Sequence, residues 1–216
     1  MRSPSPEDLE VSPGSVMKNT GHFFVLFLGL LLLSVSPALA VRTIVVDAGH
    51  GGHDRGGGPG QPIPEKPYTL DVAQRLASRL RSAGFHVVMT RDSDEFVGLR
   101  ERCNIANSQR DAVFVSIHFN SAPREGANGV ETYYYSRQSA SLAEAIHPSV
   151  VRAAGTEDRH VRVRGYFVLR NTRIPAVLVE GGFLTNHEEG ARISGSAAHR
   201  QRLAEAIASV LIRRYR

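Results

Sequence analysis

The sequence is poor in two residue types that mark particular protein classes, with one cysteine and no tryptophan in 216 residues. A single cysteine, Cys103, excludes an intramolecular disulfide and therefore a disulfide-stapled secreted scaffold. Cys103 lies within a helical pattern, where we expect it to be a small buried apolar group. The fold must then depend on a hydrophobic core, and 42% hydrophobic residues are enough for one well-buried domain.

The chain also lacks the short motifs of several functional classes. Neither G-x-x-x-x-G-K-[ST] nor a good G-x-G-x-x-G occurs, which gives little support to nucleotide binding. The HExxH pattern of helical zinc proteases is missing as well. Basic residues are scattered and are not interleaved with aromatic residues, so we expect no nucleic-acid partner.

One long apolar run occurs, FFVLFLGLLLL at 23–33. It follows Lys18 and precedes the small-residue sequence ALA that ends at residue 40, so we interpret residues 1–40 as a secretory signal peptide. The run of about 11 residues is shorter than the roughly 20 that span a bilayer, although a retained membrane anchor is the competing interpretation. Met17, directly before Lys18, is a candidate for the true start.

The remainder, residues 41–216, is positively charged. It carries 24 basic and 18 acidic side chains, a net charge of +6, because residues 1–40 hold only two of the 26 basic and three of the 21 acidic groups. A positive exported protein suits an anionic polymer such as a cell-wall glycan, although simple solubility explains the charge equally well. We expect an exported monomer in the periplasm or a cell-wall compartment, without a membrane span after cleavage.

Strand-like runs alternate with helical stretches after residue 41. Apolar residues recur at i, i+3 and i+4 in the helical stretches, as in 69–83, which Gly84 is placed to end. The alternation predicts one α/β domain with a twisted, mostly parallel sheet of about six strands flanked by helices. The predicted strands are Thr43–Val46, His86–Thr90, Ala112–Ile117, Val130–Tyr135, Tyr166–Leu169 and Ala176–Val179, and the helices are 69–83, 98–110, 138–154 and 197–214.

Ionisable residues follow three predicted strands where the apolar run stops. His50 comes after the first strand, His118 directly follows AVFVSI, and Glu180 directly follows AVLV. The carboxyl ends of parallel strands open on one edge of a sheet, where ligands bind, so these side chains are expected to converge. Glu65 lies in the loop between the first strand and the first helix, which opens on the same edge.

Two imidazoles and a carboxylate are a common ligand set for catalytic zinc. The sequence therefore predicts Zn²⁺ bound by His50, Glu65 and His118, with Glu180 as the acid/base for an activated water. A structural role for any one of these residues, taken alone, is the competing interpretation. Within the loop IVVDAGHGGHDRGG, His53 is an alternative ligand or a surface histidine, and Asp47 either orients His50 or caps the turn.

Several ordered motifs resemble the zinc-dependent N-acetylmuramoyl-L-alanine amidases of the Amidase_3 family. The similarity covers essentially all of 43–214. The motifs are VVDAGHGGHDRGG at 45–57, Glu65-Lys66, TRDSDEFVGLRERCNIAN at 90–107, VSIHFNSA at 115–122, GVETYYYS at 129–136 and FVLRNTRIPAVLVEGGFLTNHEE at 167–189.

The resemblance implies hydrolysis of the amide between the lactyl group of N-acetylmuramic acid and L-alanine of the stem peptide. It implies the same zinc ligands, His50, Glu65 and His118, and Glu180 as the catalytic glutamate. It also implies a phosphorylase/hydrolase-like, zinc-exopeptidase-like sheet, with peptidoglycan or muropeptides as the substrate and an unidentified activator as a further partner. The Gly- and Pro-rich loop 56–64 leaves open whether Glu65 reaches the metal.

Two other functions compete with the amidase. The first is a zinc peptidase that acts on stem peptides and uses the same metal. This sequence does not contain the H-x-x-E ligand pair after a strand that such a peptidase would need. The second is a non-catalytic wall-binding protein, which would not need the three proposed metal ligands and the acid/base glutamate together. The segment between Tyr135 and Tyr166 is interpreted as a helix plus a return loop without an autoinhibitory insert, and His187-Glu188-Glu189 as a solvent-facing turn or helix start.

Overall fold

The structure, a computed structural model, describes residues 41–58, 61–124 and 126–216. The predicted signal peptide and the candidate start at Met17 lie outside the described residues. Within them the chain forms six strands and six helices in the order β1 Thr43–Ala48, α1 Lys66–Ser82, β2 His86–Met89, α2 Leu99–Asn107, β3 Ala112–Asn120, β4 Val130–Tyr134, α3 Arg137–Ala154, β5 Asp158–Val163, α4 Phe167–Arg170, β6 Ala176–Phe183, α5 His187–Gly195 and α6 Ala197–Tyr215.

The strands form one sheet in the order β2-β1-β3-β6-β4-β5. β2, β1, β3 and β6 run parallel, whereas β4 is antiparallel to β6, and β5 is parallel to β4. The predicted fold class is therefore confirmed. The chain moves from β1 outward to β2 and returns to β3 on the other side of β1, so the carboxyl ends of β1 and β3 meet at the switch point where α/β sheets bind ligands.

The two faces of the sheet are covered unequally. The larger hydrophobic cluster fills the space between one face and the helices α1, α3 and α6, with Leu76, Ile146 and Leu211 fully buried. A smaller cluster on the other face includes Val45, Cys103 and residues of α4. Cys103 is buried, as the sequence predicts. Because only the short helices α2 and α4 contribute to this second cluster, a cavity opens beside them.

One predicted strand is wrong. The run Tyr166–Leu169 enters the helix α4, where Val168 and Leu169 are buried in the smaller cluster. A short apolar run has no reliable period, so it fits a buried strand or a buried helix turn equally well. The sixth strand is instead β5, whose sequence DRHVRV is polar because it forms the half-exposed edge of the sheet.

Helix α5 begins at His187, after Asn186, whose side chain accepts hydrogen bonds from the Glu188 and Glu189 amides. The predicted helix start is confirmed, but the solvent-facing interpretation is wrong for Glu189, which is buried. Among the described residues, no helix has the length and apolar character needed to cross a membrane.

Candidate metal centre

His50 is presented by a constrained turn at the end of β1. Its φ of 60° lies in the left-handed region, which is unusual for a residue other than glycine. The guanidinium of Arg102 donates to the His50 carbonyl at 2.7 Å and to the Ala48 carbonyl at 2.6 Å, which holds this backbone in place. Any side chain at Gly49 would overlap the imidazole of His118, so a glycine is needed for the two histidines to approach each other.

Glu65 lies between the two histidines. It directly precedes α1 and is buried, with one carboxylate oxygen 2.9 Å from His50 Nε2 and the other 2.9 Å from His118 Nδ1. The Phe119 amide also donates to Glu65 at 2.9 Å. Burial alone raises the pKa of Glu65, but the imidazoles of His118 and His50 outweigh it and lower the pKa to about 2. The loop after β1 therefore delivers an ionised carboxylate to both histidines.

His118 and Glu180 are neighbours in the sheet. His118 was expected just after the third strand, but β3 continues to Asn120, so His118 lies inside it. Its register partner across the parallel β3–β6 pair is Glu180. Directly paired residues point to the same face of a sheet, so the Glu180 side chain lies beside the histidine. Burial lowers the pKa of the His118 imidazole, but the carboxylate of Glu65 outweighs it and raises the pKa overall.

Glu180 has an unusual environment for a carboxylate. Its side chain is buried, and Oε2 has no hydrogen-bond partner among the described residues. Burial, together with the smaller effects of Glu65 and Glu131, raises the pKa of Glu180 to about 8, although His118 acts in the opposite direction. An unpartnered buried polar atom is costly to keep, so this oxygen indicates a missing polar ligand, such as a water or substrate.

The ligand atoms of His50, Glu65 and His118 all lie within 4.8 Å of one another. Among the described residues this is the one group of histidine, cysteine and acidic side chains with the spacing to hold a metal ion. Two nitrogens and a carboxylate oxygen fit the donor preference of zinc and leave a position for water or substrate. The donor chemistry and the orphaned oxygen of Glu180 beside it both fit a catalytic metal.

A cavity of about 400 Å³ opens over this group. Glu180, His118 and Asn120 line its polar part. Its other wall is largely apolar and comes from α2, α4 and β6, with Leu99, Tyr166, Phe167, Val168 and Leu178. The arrangement can hold an amide beside a buried carboxylate.

The residue that orients the His50 ring is not Asp47, although orienting it was one of the two roles expected for Asp47. Asp47 does not contact the imidazole; its carboxylate accepts from Arg102 at 2.6 Å, Thr90 at 2.6 Å and Ser116 at 2.5 Å. Asp54 contacts His50 instead, with 2.9 Å between Oδ2 and Nδ1.

In the sequence, the only indication of a contact between Asp54 and His50 is that Asp54 follows four residues after the histidine. His53 is exposed, as expected of a surface histidine, with its ring centroid 4.1 Å from that of Phe96.

Sequence reasoning also missed a polar network behind Glu180. Glu131 is directly opposite Glu180 in the β4–β6 register and is buried. It accepts from Asn120 Nδ2 at 2.6 Å and from the Tyr133 hydroxyl at 2.6 Å, and Arg159 donates to it at 3.3 Å. Glu131 is thus fully partnered, whereas Glu180 is not. The motif GVETYYYS contains Glu131, but its pairing with Glu180 depends on the antiparallel addition of β4.

Comparisons with known proteins identify the family of this chain. The model of the family described as N-acetylmuramoyl-L-alanine amidase matches residues 44–213. N-acetylmuramoyl-L-alanine amidase LytC of Bacillus subtilis (strain 168) is 36% identical over 179 residues, which are 81% of this chain and 36% of LytC. Probable cell wall amidase LytH of Staphylococcus epidermidis (strain ATCC 12228) is 40% identical over 177 residues, 81% of this chain and 58% of LytH. The chain thus spans only 36–58% of the length of these two relatives.

Two solved structures similar to this chain are also amidases. The catalytic domain of CwlV, an N-acetylmuramoyl-L-alanine amidase from Bacillus (Paenibacillus) polymyxa var. colistinus, superimposes with a TM-score of 0.76 and 36% identity over 80% of this chain and 97% of that one. The CwlD amidase from Clostridioides difficile, solved in complex with the GerS lipoprotein, gives a TM-score of 0.74 and 29% identity over 81% of this chain and 98% of that one.

Proposed function

The chain belongs to the Amidase_3 family of N-acetylmuramoyl-L-alanine amidases, and we propose that it hydrolyses the amide between the lactyl group of N-acetylmuramic acid and L-alanine in peptidoglycan. The observation that carries the proposal is the convergence of His50, Glu65 and His118 beside the buried, unpartnered Glu180. If the histidines had only a structural role, there would be no reason for Glu180 to line the open cavity with a buried oxygen that has no hydrogen-bond partner.

We propose zinc as the metal and His50, Glu65 and His118 as its ligands. When bound there, zinc would supply Lewis acidity toward the substrate carbonyl and a water molecule. The Asp54 carboxylate holds the His50 ring through its other nitrogen, an arrangement typical of histidines that bind metals.

Glu180 acts as the proton carrier of the reaction. Its buried carboxylate takes a proton from the attacking water as the new C–O bond forms, and returns it to the L-alanine nitrogen as the C–N bond breaks. Burial raises the pKa of Glu180, so its carboxylate is a stronger base than that of an exposed glutamate. The products are the lactyl carboxylate and a stem peptide with a free amino terminus.

The location and partners follow from the substrate. Peptidoglycan lies outside the cytoplasmic membrane, so the protein is exported to the periplasm or cell wall, with residues 1–40 as its signal peptide. The CwlD amidase was solved with a lipoprotein partner, which supports an activator for this chain as well. The catalytic domain itself is expected to be monomeric.

Digestion of purified peptidoglycan, followed by mass spectrometry with and without a chelator, tests the activity. We expect intact stem peptides that begin with L-alanine and their loss on chelation. The variant E180Q should keep its metal, measured by elemental analysis, and lose about 10²–10⁴-fold in turnover. Cleavage inside the stem peptide would indicate a peptidase, and wall binding by the metal-loaded protein without any product would indicate a binding protein.

A further inference from the structure

The helices that cover one face of the sheet carry much of the positive charge of this protein. Helix α6 contains four arginines and one glutamate, a net charge of +3, which is half of the +6 carried by residues 41–216. Arg200 forms an ion pair with Asp71 at 2.6 Å. No ion pair with a carboxylate is found for Arg202, Arg213 or Arg214 among the described residues.

Arg202 and Arg213, but not Arg200 or Arg214, line a groove of about 470 Å³ between α3 and α6. We call it the α3–α6 groove and define it by Arg152 of α3, by Arg202 and Arg213 of α6, and by the hydroxyls of Ser149 and Ser209. The three arginines are exposed. Arg152 donates a hydrogen bond to Ser149 at 3.2 Å, and Arg202 lies 3.3 Å from His199 Nδ1; neither arginine has an ion pair within the part of the chain that the structure describes.

One carboxylate also lines the groove, but it is already engaged. Glu205 pairs with Arg79 of α1 at 3.2 Å and accepts from Gln201 at 3.0 Å. Its charge is therefore compensated from the α1 side. The groove keeps an excess of positive charge from the three exposed guanidinium groups.

The shape and chemistry select one kind of partner. Guanidinium groups match phosphate oxygens through paired hydrogen bonds, and the serine hydroxyls add neutral donors. Arg202 and Arg213 are eleven residues apart on one helix, which corresponds to about 16 Å, too far for a single phosphate to contact both. A flat membrane surface fits less well, because among the described residues no large exposed apolar side chain lies in α3 or α6.

We propose that the α3–α6 groove binds a linear polymer that carries phosphate groups. The groove lies on the face of the sheet covered by α1, α3 and α6, whereas the metal centre opens beside α2 and α4. A bound polymer therefore leaves the catalytic cavity free. Attachment to a polyanion within the wall would raise the local concentration of the peptidoglycan linked to it. The proposed polymer binding does not depend on whether the protein has amidase activity.

Binding of labelled long-chain inorganic polyphosphate to the purified protein tests this inference. The groove variant R152Q/R202Q/R213Q is compared with R42Q/R110Q/R173Q, which removes the same charge from exposed arginines elsewhere. At about 150 mM salt we expect the groove variant to bind at least about 10-fold more weakly and the control variant to change less than about 2-fold. The salt dependence should also flatten only in the groove variant, because fewer counterions are released.

Further measurements separate this inference from the alternatives. Circular dichroism and hydrolysis of a small soluble muropeptide should be unchanged in both variants, because neither set of arginines contacts the cavity. Equal weakening in both variants, or no binding by the wild-type protein, would overturn the proposal. Loss of binding to phosphatidylglycerol vesicles in the groove variant, with polyphosphate binding retained, would show a membrane-facing surface instead.

Discussion

At the scale of single residues, the site depends on groups that position the proposed ligands as much as on the ligands themselves. His50 has strained backbone geometry that two carbonyl hydrogen bonds from Arg102 support, and its ring is held by Asp54. Burial keeps the pKa of the Asp47 carboxyl from falling further, but the Arg102 guanidinium lowers it below its usual value. The Asp47 carboxylate therefore stays ionised and holds the Arg102 side chain in place.

Asp54 provides the first prediction. The substitution D54N should weaken zinc binding by about 10- to 100-fold, because the carboxylate that orients the His50 ring and increases its basicity is lost. Competition with a chromogenic chelator measures the affinity directly, without reference to catalysis. D92N is the matched control, since Asp92 is an exposed aspartate outside the cavity lining. Equal affinity in D54N and wild type would remove Asp54 from the site.

The sequence predicts the four residues of the proposed centre, but it does not predict the groups that support them. His118 and Glu180 directly follow apolar runs, and His50 lies in the loop just after one, so each is marked by the local sequence alone. The contacts of Arg102 and Glu131 join segments that are far apart in the chain and depend on how α2 and β4 pack. Such contacts have no local signature, so the sequence could not predict them.

At the scale of secondary structure elements, the sequence predicts elements that have a clear period and fails where burial is uneven. The helices α1, α3 and α6 were predicted closely because each buries one apolar stripe against the sheet. β5 was missed because an edge strand with one exposed side resembles a loop, and α4 was mistaken for a strand because four residues show no period. Tertiary packing decides both cases.

Helix α5 joins three separate segments through one buried carboxylate. Glu189 accepts from the amides of Phe183 at 2.7 Å and Gly129 at 3.0 Å, and from the hydroxyl of Thr156. The substitution E189Q should reduce the free energy of unfolding by about 1–3 kcal/mol, because an amide nitrogen would face donors that need an acceptor. Urea denaturation measures the loss. The neighbouring exposed E188Q should change it by less than about 0.5 kcal/mol, and equal effects would contradict the anchoring role.

The start of α6 provides a pH-dependent prediction. Burial lowers the pKa of His199 to about 4, and the nearby Arg202, Arg192 and Arg200 act in the same direction. Below pH 6.5 the unfolded chain takes up a proton that the folded protein does not, so stability should decrease as the pH falls from 6.5 toward 4, by up to about 3 kcal/mol.

Urea denaturation at pH 7, 6 and 5 tests this linkage. In H199Q the pH dependence over that window should be reduced by about one proton per molecule, because the titrating group is absent. H86Q, which removes an exposed histidine, is the control and should keep the wild-type slope. An unchanged slope in H199Q would place the acid sensitivity of the protein in another group.

At the scale of the whole molecule, the hydrophobic core adjoins the proposed metal centre but contains none of its ligands. The two buried clusters account for the packing of every strand and of helices α1 to α6 without any contribution from a metal ion. Chelation should therefore abolish hydrolysis while the far-ultraviolet circular dichroism of the folded protein persists. This distinguishes the centre from a structural zinc site, whose removal unfolds the domain.

The metal should nevertheless stabilise the folded state, because it binds the assembled ligands and not the unfolded chain. At a zinc concentration about 100-fold above the dissociation constant, the gain should be about 2.7 kcal/mol, seen as a rise in Tm in a thermal scan. H118A removes one proposed ligand, so its Tm should not respond to zinc although the protein remains folded. An equal rise in H118A and wild type would place the stabilising metal elsewhere, and unfolding on chelation would show that the core depends on it.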